Sequence, residues 1–354
     1  MIKFPFFHSA EQTATADAGA NQSPHSVALT PAEVTAQEVR RRIELMSSSL
    51  SLPTVRKALG VIEGEHLSQR RGGTDELMDV RAYEAGDEAR SIDWKISARS
   101  GRPMIVQRER NVSGKAVLLL DVGQPMSATC PSGEPAYEVA ANALCMIAAL
   151  SLRRSDEVSL VFGDAQSITR MPFHGGLPQF ERTLDEALDR DWSHGRNIDA
   201  LLDYAKRLRD RNCLIVLATD DHALTEQQLA TMRTIARTHP LFIVSVGTVN
   251  PFDVHPVPSR PDVGVRDGIT GRRIPAFLRN AALAKEVHTH RTFMLQELQR
   301  QLTSYGATLV HSASSEGMFH TLVSMIARAQ MSHAAMNPSM LRSSVSRMQQ
   351  GVSR

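Results

Sequence analysis

Aromatic residues, cysteines and long apolar runs are all scarce in this sequence. Only 5% of the 354 residues are aromatic, so the core must be mostly aliphatic. The three cysteines form no CxxC pair, and Cys145 and Cys213 lie in apolar runs, which predicts buried thiols in a reducing compartment. No uninterrupted apolar stretch reaches the roughly 18 to 20 residues of a membrane span. The apolar residues 1–7 are too few for a signal-peptide core, so we expect a cytoplasmic protein without a membrane span.

Neither sign of charge dominates, and the familiar catalytic motifs are absent from the sequence. Forty Lys and Arg stand against 38 Asp and Glu, and the net charge of +2 gives no global argument for a nucleic-acid or membrane partner. The sequence has no GxxxxGKS or GxxxxGKT phosphate loop, no GxSxG nucleophile elbow and no HExxH zinc motif. We therefore expect a protein that is not an enzyme and has no cofactor.

From residue 114 onward, short apolar runs alternate with longer segments of helical spacing. The runs at 115–121 and 212–219 are continuously apolar and lead into acids, Asp121 and Asp220, which is typical of buried parallel strands. The alternation predicts an α/β fold with a doubly wound, mostly parallel sheet. The predicted strands span 115–121, 157–163, 167–173, 212–219, 241–247 and 307–311, and the predicted helices span 135–153, 177–188, 198–209, 225–238, 281–305 and 318–330.

The composition divides the chain into four parts. Residues 1–30 are polar without periodicity and predict a flexible lead. Residues 31–113 comprise a helix, predicted over 31–59, and a strand-containing segment of unusual sequence. Residues 114–330 form the α/β domain, and residues 331–354, rich in Ser, Met and Arg, predict a disordered tail.

The most distinctive stretch of the sequence spans residues 68–109. Its ordered elements are a Ser followed by a Gly pair, an Arg-x-Tyr, a Gly-Asp, an Arg-x-Ile-Asp-Trp and an Ala-Arg. This order resembles the signature region of the bacterial family called domain of unknown function 58, and the resemblance covers roughly residues 60–330. The residues that carry it are Ser68, Gly72, Gly73, Glu76, Leu77, Arg81, Tyr83, Gly86, Asp87, Arg90, Ile92, Asp93, Trp94, Ala98, Arg99, Arg108 and Glu109.

The resemblance implies a fold, a function and a partner. Members of that family look like von Willebrand factor A-like domains preceded by a strand-rich signature segment. They commonly accompany MoxR-type AAA+ ATPases, which implies an adaptor that helps such an ATPase to act on a client protein. The ATP energy would then come from the partner.

The residues of the signature also allow an interpretation without the family. Arginines alternate with acids around Tyr83 and Trp94, which favours a network of arginine–carboxylate pairs with Trp94 as a buried apolar anchor. Burial of Trp94 would make its truncation cost roughly 3 to 5 kcal/mol. The alternative is a nucleic-acid surface that uses the basic residues between Arg70 and Lys115, with the aromatics stacking on bases.

The first strand ends in a motif that predicts a degenerate metal site. A metal-ion-dependent adhesion site of the implied fold follows the pattern Asp-x-Ser-x-Ser, with a later Thr and Asp. Here Asp121 remains, but Gly123 and Pro125 replace both serines, Asn197 stands at or beside the Thr position, and Asp220 supplies the later acid. One alternative is that these oxygens hold a hydrated Mg²⁺ weakly, and another is a metal-dependent hydrolase that uses Asp121 and Asp220. Otherwise the two acids cap loops and helix N-termini.

Overall fold

The described part of the chain is built around a six-stranded sheet and a separate two-stranded one. A computed structural model describes residues 31–50, 52–63, 74–83, 92–111, 114–171, 173, 175–210, 213–222, 224–253, 265–267 and 272–336. The predicted lead over 1–30 lies outside these residues. The strands are β1 (Thr74–Ala82), β2 (Met104–Asn111), β3 (Lys115–Asp121), β4 (Glu157–Gly163), β5 (Ile168–Met171), β6 (Cys213–Asp220), β7 (Leu241–Val246) and β8 (Thr308–Ser312).

The large sheet has the order β5-β4-β3-β6-β7-β8. Only β5 runs antiparallel to its neighbour, so the predicted mixed, mostly parallel α/β sheet is confirmed. Every residue of β6 is buried, as its continuous apolar run predicts. The chain leaves β3 toward β4 on one side and leaves β6 toward β7 on the other. The boundary between β3 and β6 is therefore the switch point of the sheet, where α/β folds gather ligands and partners.

Helices cover both faces of this sheet. The helices are α1 (Pro31–Ser49), α2 (Leu52–Glu63), α3 (Trp94–Ser100), α4 (Ala136–Arg153), α5 (Leu177–Leu188), α6 (Ile198–Lys206), α7 (Glu226–Ala236), α8 (Ala281–Ser304) and α9 (Ser315–Met336). One face packs against α1, α2, α4, α5 and α9, and the other packs against α6, α7 and α8. Alternate residues of β3 explain the division, since Leu118 and Leu120 point to the first face and Val117 and Leu119 to the second.

The two ends of the described chain differ from the predicted organisation. The helix predicted over 31–59 is two helices, α1 and α2, and both belong to the main core rather than to a separate N-terminal unit, with Ile43 and Leu59 fully enclosed. Arg40 of α1 donates to Asn142 of α4 at 2.8 Å. At the other end, α9 continues to Met336 and so includes the first six residues of the predicted tail.

The signature segment forms a small arm. Strands β1 and β2 pair antiparallel, with an irregularity between Leu77 and Asp79, and α3 lies between them in the chain. The predicted strand content of this segment is confirmed, and α3 is an addition that its sequence pattern did not predict. Of the signature residues, Ser68, Gly72, Gly73, Gly86, Asp87 and Arg90 lie outside the described residues.

Candidate functional site

Two aspartates end adjacent strands at the switch point of the sheet. Asp121 closes β3 and Asp220 closes β6, and these strands pair in parallel register. Both residues are buried, and Asp121 is 0% exposed. Two buried carboxylates this close require a compensating cation, because an unpaired buried charge is very costly.

Arg196 supplies that cation. It lies in the loop before α6, and its side chain reaches between the two aspartates. Its Nε donates to Asp121 Oδ2 at 2.8 Å. Its Nη2 lies 2.6 Å from Asp220 Oδ1, an ion-pair distance without the alignment of a hydrogen bond. The guanidinium thus occupies the space between the carboxylates, where a metal ion shared by them would lie.

Gly123 makes room for Arg196. A β-carbon at position 123 would lie within 3 Å of the backbone of Arg196, so the loop after β3 and the loop before α6 meet in direct contact. The loops are also joined by the hydrogen bond from Gln124 N to His194 O, 2.7 Å long. The absent serine side chain is therefore what allows the arginine to approach.

Further hydrogen bonds fix each aspartate. Asp121 accepts from Gly123 N at 2.9 Å and from Thr219 Oγ1 at 2.9 Å. Asp220 Oδ1 lies 2.6 Å from His222 Nδ1 and 3.2 Å from the backbone nitrogen of the same histidine. Burial pushes the pKa of Asp220 upward, but the hydrogen bond from His222 and the charge of Arg196 outweigh it and hold the pKa at about 2. Each aspartate thus also closes a turn, as the capping interpretation predicts.

Asn197 does not join this cluster. Its side chain caps α6 by accepting from Ala200 N at 3.0 Å, so the third residue expected for the degenerate metal site has a structural role. A divalent cation between Asp121 and Asp220 would collide with the guanidinium of Arg196, and no hydroxyl stands at positions 123 and 125 to complete its shell. Within the described ranges, no group of three His, Cys, Asp or Glu side chains is arranged to hold a metal ion.

The arm places its aromatic residues at the surface. Trp94 is 71% exposed, so the prediction of a buried anchor is wrong. The reason is local: Asp93 caps α3 and Trp94 is its first residue, and because helical side chains lean toward the N-terminus, no turn of this helix lies beneath the tryptophan. Tyr83 is also exposed. Asp93 serves as a cap. The other acids of the predicted arginine–carboxylate network, Asp79, Glu84, Asp87 and Glu109, lie outside the described side chains, so the network stays a prediction. For Arg81 only the strand position, opposite Ile105, is described.

Comparison with known proteins identifies the family. The family model described as "Protein of unknown function DUF58" matches residues 79–292, more than half of the chain. The chain belongs to this family. Uncharacterized proteins of Mycobacterium bovis and Mycobacterium tuberculosis are each 24% identical to it over 289 residues, which cover 79% of this chain and 87% of the relative. Among solved structures, the conserved hypothetical protein BatB from Bacteroides thetaiotaomicron matches with a TM-score of 0.39 and 11% identity, covering 62% of this chain and 100% of that one.

The family predicted from the signature is thereby confirmed, but the sequence pattern did not predict a role for Arg196. In this DUF58 protein the signal was present in two distant positions, a glycine where the adhesion pattern has serine and an arginine just before the α6 cap. Neither residue is informative alone. Only the fold brings the loop after β3 against the loop before α6.

A cavity of about 280 Å³ lies beside the cluster, between α8 and the carboxyl ends of β6, β7 and β8. On its floor, Arg291 Nη1 lies 3.6 Å from Asp221 Oδ2 and donates to Thr248 O at 2.9 Å. Burial lowers the pKa of His311, which lies against the same floor. The walls are mostly apolar, and the charges of Asp221 and Arg291 already compensate each other. The cavity therefore suits an apolar group better than a free ion.

One helix of the DUF58 protein has the length and composition of a membrane span. The helix α4 passes this test although Asn142 interrupts its apolar run, which revises the sequence-based expectation, and 78% of it is buried inside the fold. Asn142 donates to Ser315 Oγ at 2.8 Å and accepts from Arg40, so the nitrogen and the oxygen of its side-chain amide both form hydrogen bonds within the protein. The central position of α4 in the core accounts for its apolar composition.

Proposed function

We propose that this DUF58 protein is a non-enzymatic adaptor of the cytoplasm, built on a von Willebrand factor A-like domain in which an internal arginine replaces the metal ion. The observation that carries the proposal is the guanidinium of Arg196 between Asp121 and Asp220. The position of the two aspartates at the carboxyl ends of adjacent parallel strands supports the von Willebrand factor A-like assignment, since that is where such domains hold their metal.

The arginine changes how a partner would be bound. In a metal-dependent adhesion site, a carboxylate of the partner completes the shell of the ion. Here the charge of Arg196 is satisfied internally, and the arginine is mostly buried. The partner would therefore contact the loops around the cluster through hydrogen bonds and shape, which gives a transient interface. These strand-end loops span residues 122–135, 189–197 and 221–225.

The partner that we propose is a MoxR-type AAA+ ATPase, with a client protein as the substrate of the pair. Membership of the DUF58 family supports this partner, because the resemblance implies it. The binding should depend on the nucleotide state of the ATPase, since an adaptor must bind and release the ATPase during each cycle of ATP hydrolysis.

A capture experiment tests the proposal. A hydrolysis-deficient MoxR-type ATPase from the same genome, immobilised with ATP, ADP or no nucleotide, is incubated with the wild-type chain and with Ser127→Arg and Ser193→Arg. Both serines are exposed in the strand-end loops. Thr234→Arg is the matched control, because Thr234 is exposed near the end of α7, toward the opposite edge of the sheet.

We expect capture of the wild type and of Thr234→Arg in the ATP state, and loss of capture of the two loop variants. Asp220 is unsuitable for such a test, because its buried carboxylate belongs to the ion-pair cluster and its replacement would disturb the fold. If the ATPase captures the wild type in no nucleotide state, the proposed partnership is wrong.

A further inference from the structure

The short helix α3 presents a tryptophan to solvent. Trp94 is 71% exposed, and the neighbouring Tyr83 is 36% exposed. Single exposed apolar residues are common on protein surfaces, so exposure alone assigns no role to Trp94. Two other properties of α3 distinguish it, namely the rigidity of its attachment and the charge around the tryptophan.

The helix is fixed at both ends and along its inner side. Asp93 Oδ1 accepts from the two backbone nitrogens of the first turn, at 2.9 and 3.0 Å. Ser97 is buried, and its Oγ donates to Asp93 O at 2.7 Å and accepts from Met104 N of β2 at 2.7 Å. Gly101 ends the helix with φ +70°, a conformation that favours glycine. The tryptophan is thus held outward by a short scaffold that is already ordered, which lowers the entropy lost on binding.

The described charged residues that follow Trp94 in the arm are all cations. Lys95, Arg99 and Arg102 are exposed, and none of them forms an ion pair with a described residue. Lys95 and Arg99, two positions before and two positions after the buried Ser97, lie on the opposite side of α3, and the exposed Trp94 lies at the edge of that side at the start of the helix. In the described side chains of the arm, residues 82–83 and 92–105, the one carboxylate is that of Asp93, which is engaged as the cap.

We propose that this outer face of α3 binds an acidic peptide segment of a partner protein, with Trp94 as the apolar anchor and the three cations pairing with its carboxylates. Tryptophan and arginine are the residue types that dominate binding energy at protein interfaces. The three cations lie within eight positions of the chain, two of them on one side of α3, whereas proteins that bind single-stranded nucleic acid use a groove that follows the backbone. The face shares no residue with the strand-end loops, so its role does not depend on the proposed ATPase.

A peptide selection on the full chain tests this inference. Random displayed peptides are first depleted on the double variant Trp94→Ala, Arg99→Glu and then selected on the wild type. We expect the enriched sequences to carry two or more acids beside an apolar residue. A synthetic peptide of that sequence should lose about thirtyfold in affinity on Trp94→Ala, as for truncation of an anchor residue. It should also bind more weakly as salt is raised.

Matched substitutions on α8 serve as controls. Phe293→Ala removes another exposed aromatic ring, and Lys285→Glu reverses another exposed lysine, so both should keep wild-type affinity. Lys95→Glu with Arg99→Glu tests the same face of α3 without changing a packed side chain. The proposal is overturned if no peptide is enriched over the depleted background, or if the enriched peptides lack acids. It is also overturned if a thymidine oligonucleotide binds α3 more tightly than the selected peptide, which would identify a nucleic-acid surface.

Discussion

The α-carbon of Gly123 faces the backbone of Arg196 so closely that a β-carbon on the glycine would lie 2.6 Å from Arg196 Cα and 2.8 Å from its nitrogen. This contact brings the guanidinium to Asp121. A serine at position 123, as the adhesion pattern requires, is sterically incompatible with the observed place of Arg196. The glycine and the arginine therefore act together, because the absence of a side chain at position 123 leaves room for Arg196.

Gly123→Ser should destabilise the protein by about 3 kcal/mol, at the upper end of the range for overpacking, because the atoms in the way belong to backbone. The measurement is the urea denaturation midpoint. Gly195→Ser in the facing loop is the control, since a β-carbon there would meet Ala165 Cβ at an ordinary 3.7 Å. Equal midpoints for the two variants would show that the loops separate at little cost.

Arg196→Ala should lower the free energy of unfolding by about 3 to 5 kcal/mol, because Asp121 and Asp220 are left buried without their cation. Addition of about 10 mM Mg²⁺ should raise the Tm of this variant and leave the wild-type Tm unchanged, since only the variant has space for the ion. Asp121→Asn in the variant background should abolish the rescue.

Calorimetry that gives the wild type a Mg²⁺ or Mn²⁺ Kd tighter than ~10 µM, lost in Asp220→Ala, would refute an internal replacement of the metal.

The pH dependence of stability should report on Asp220. Its pKa is lowered from 3.8 to about 2, so its contribution is present above the unfolded-state value and is lost as pH falls through the folded-state value. We expect the stability difference between the wild type and Asp220→Asn to shrink by ~2 kcal/mol between pH 5 and pH 2. Urea denaturation of both proteins across this range is the measurement. A constant difference would mean that the carboxyl titrates normally in the folded chain.

The sheet could be predicted from the sequence because each buried strand needs a continuous apolar run. The runs at β3, β4 and β6 match their observed bounds to within one residue. The acids that end β3 and β6 were also predicted to meet, since carboxyl ends of parallel strands share one edge. These features depend only on local pattern and on general rules of α/β folds.

Arg196 and Trp94 could not be predicted in the same way. The role of Arg196 depends on an approach between loops 73 positions apart in the chain, which no local pattern encodes. For Trp94 the local pattern was misleading, because a tryptophan surrounded by charges suggests a buried anchor. Its exposure follows from its position as the first residue of α3, directly after the cap at Asp93, where no turn of the helix lies beneath it.

A buried ion-pair cluster should decide whether α2 unfolds together with the α/β domain. Arg154, at the end of α4, pairs with Glu63 of α2 and with Asp156, and all three side chains are less than 10% exposed. Asp156 also accepts from Gly114 N at 2.7 Å, so the cluster joins α2 to the segment that enters β3. Arg154→Ala would leave two buried carboxylates without their arginine and should cost about 3 to 5 kcal/mol.

The neighbouring Arg153→Ala is the control for this prediction. Among the described residues the side chain of Arg153 makes one hydrogen bond, to Leu50 O at an exposed position, and its loss should cost about 1 kcal/mol at most. Chemical denaturation followed by circular dichroism should give one transition for both variants, with a much lower midpoint for Arg154→Ala. This result follows if α2 is part of the same cooperative unit as the sheet, since its residues Val55, Leu59 and Ile62 complete the common core. Two separate transitions in Arg154→Ala, the first removing the helical signal of α1 and α2 alone, would instead make the N-terminal helices an independent module.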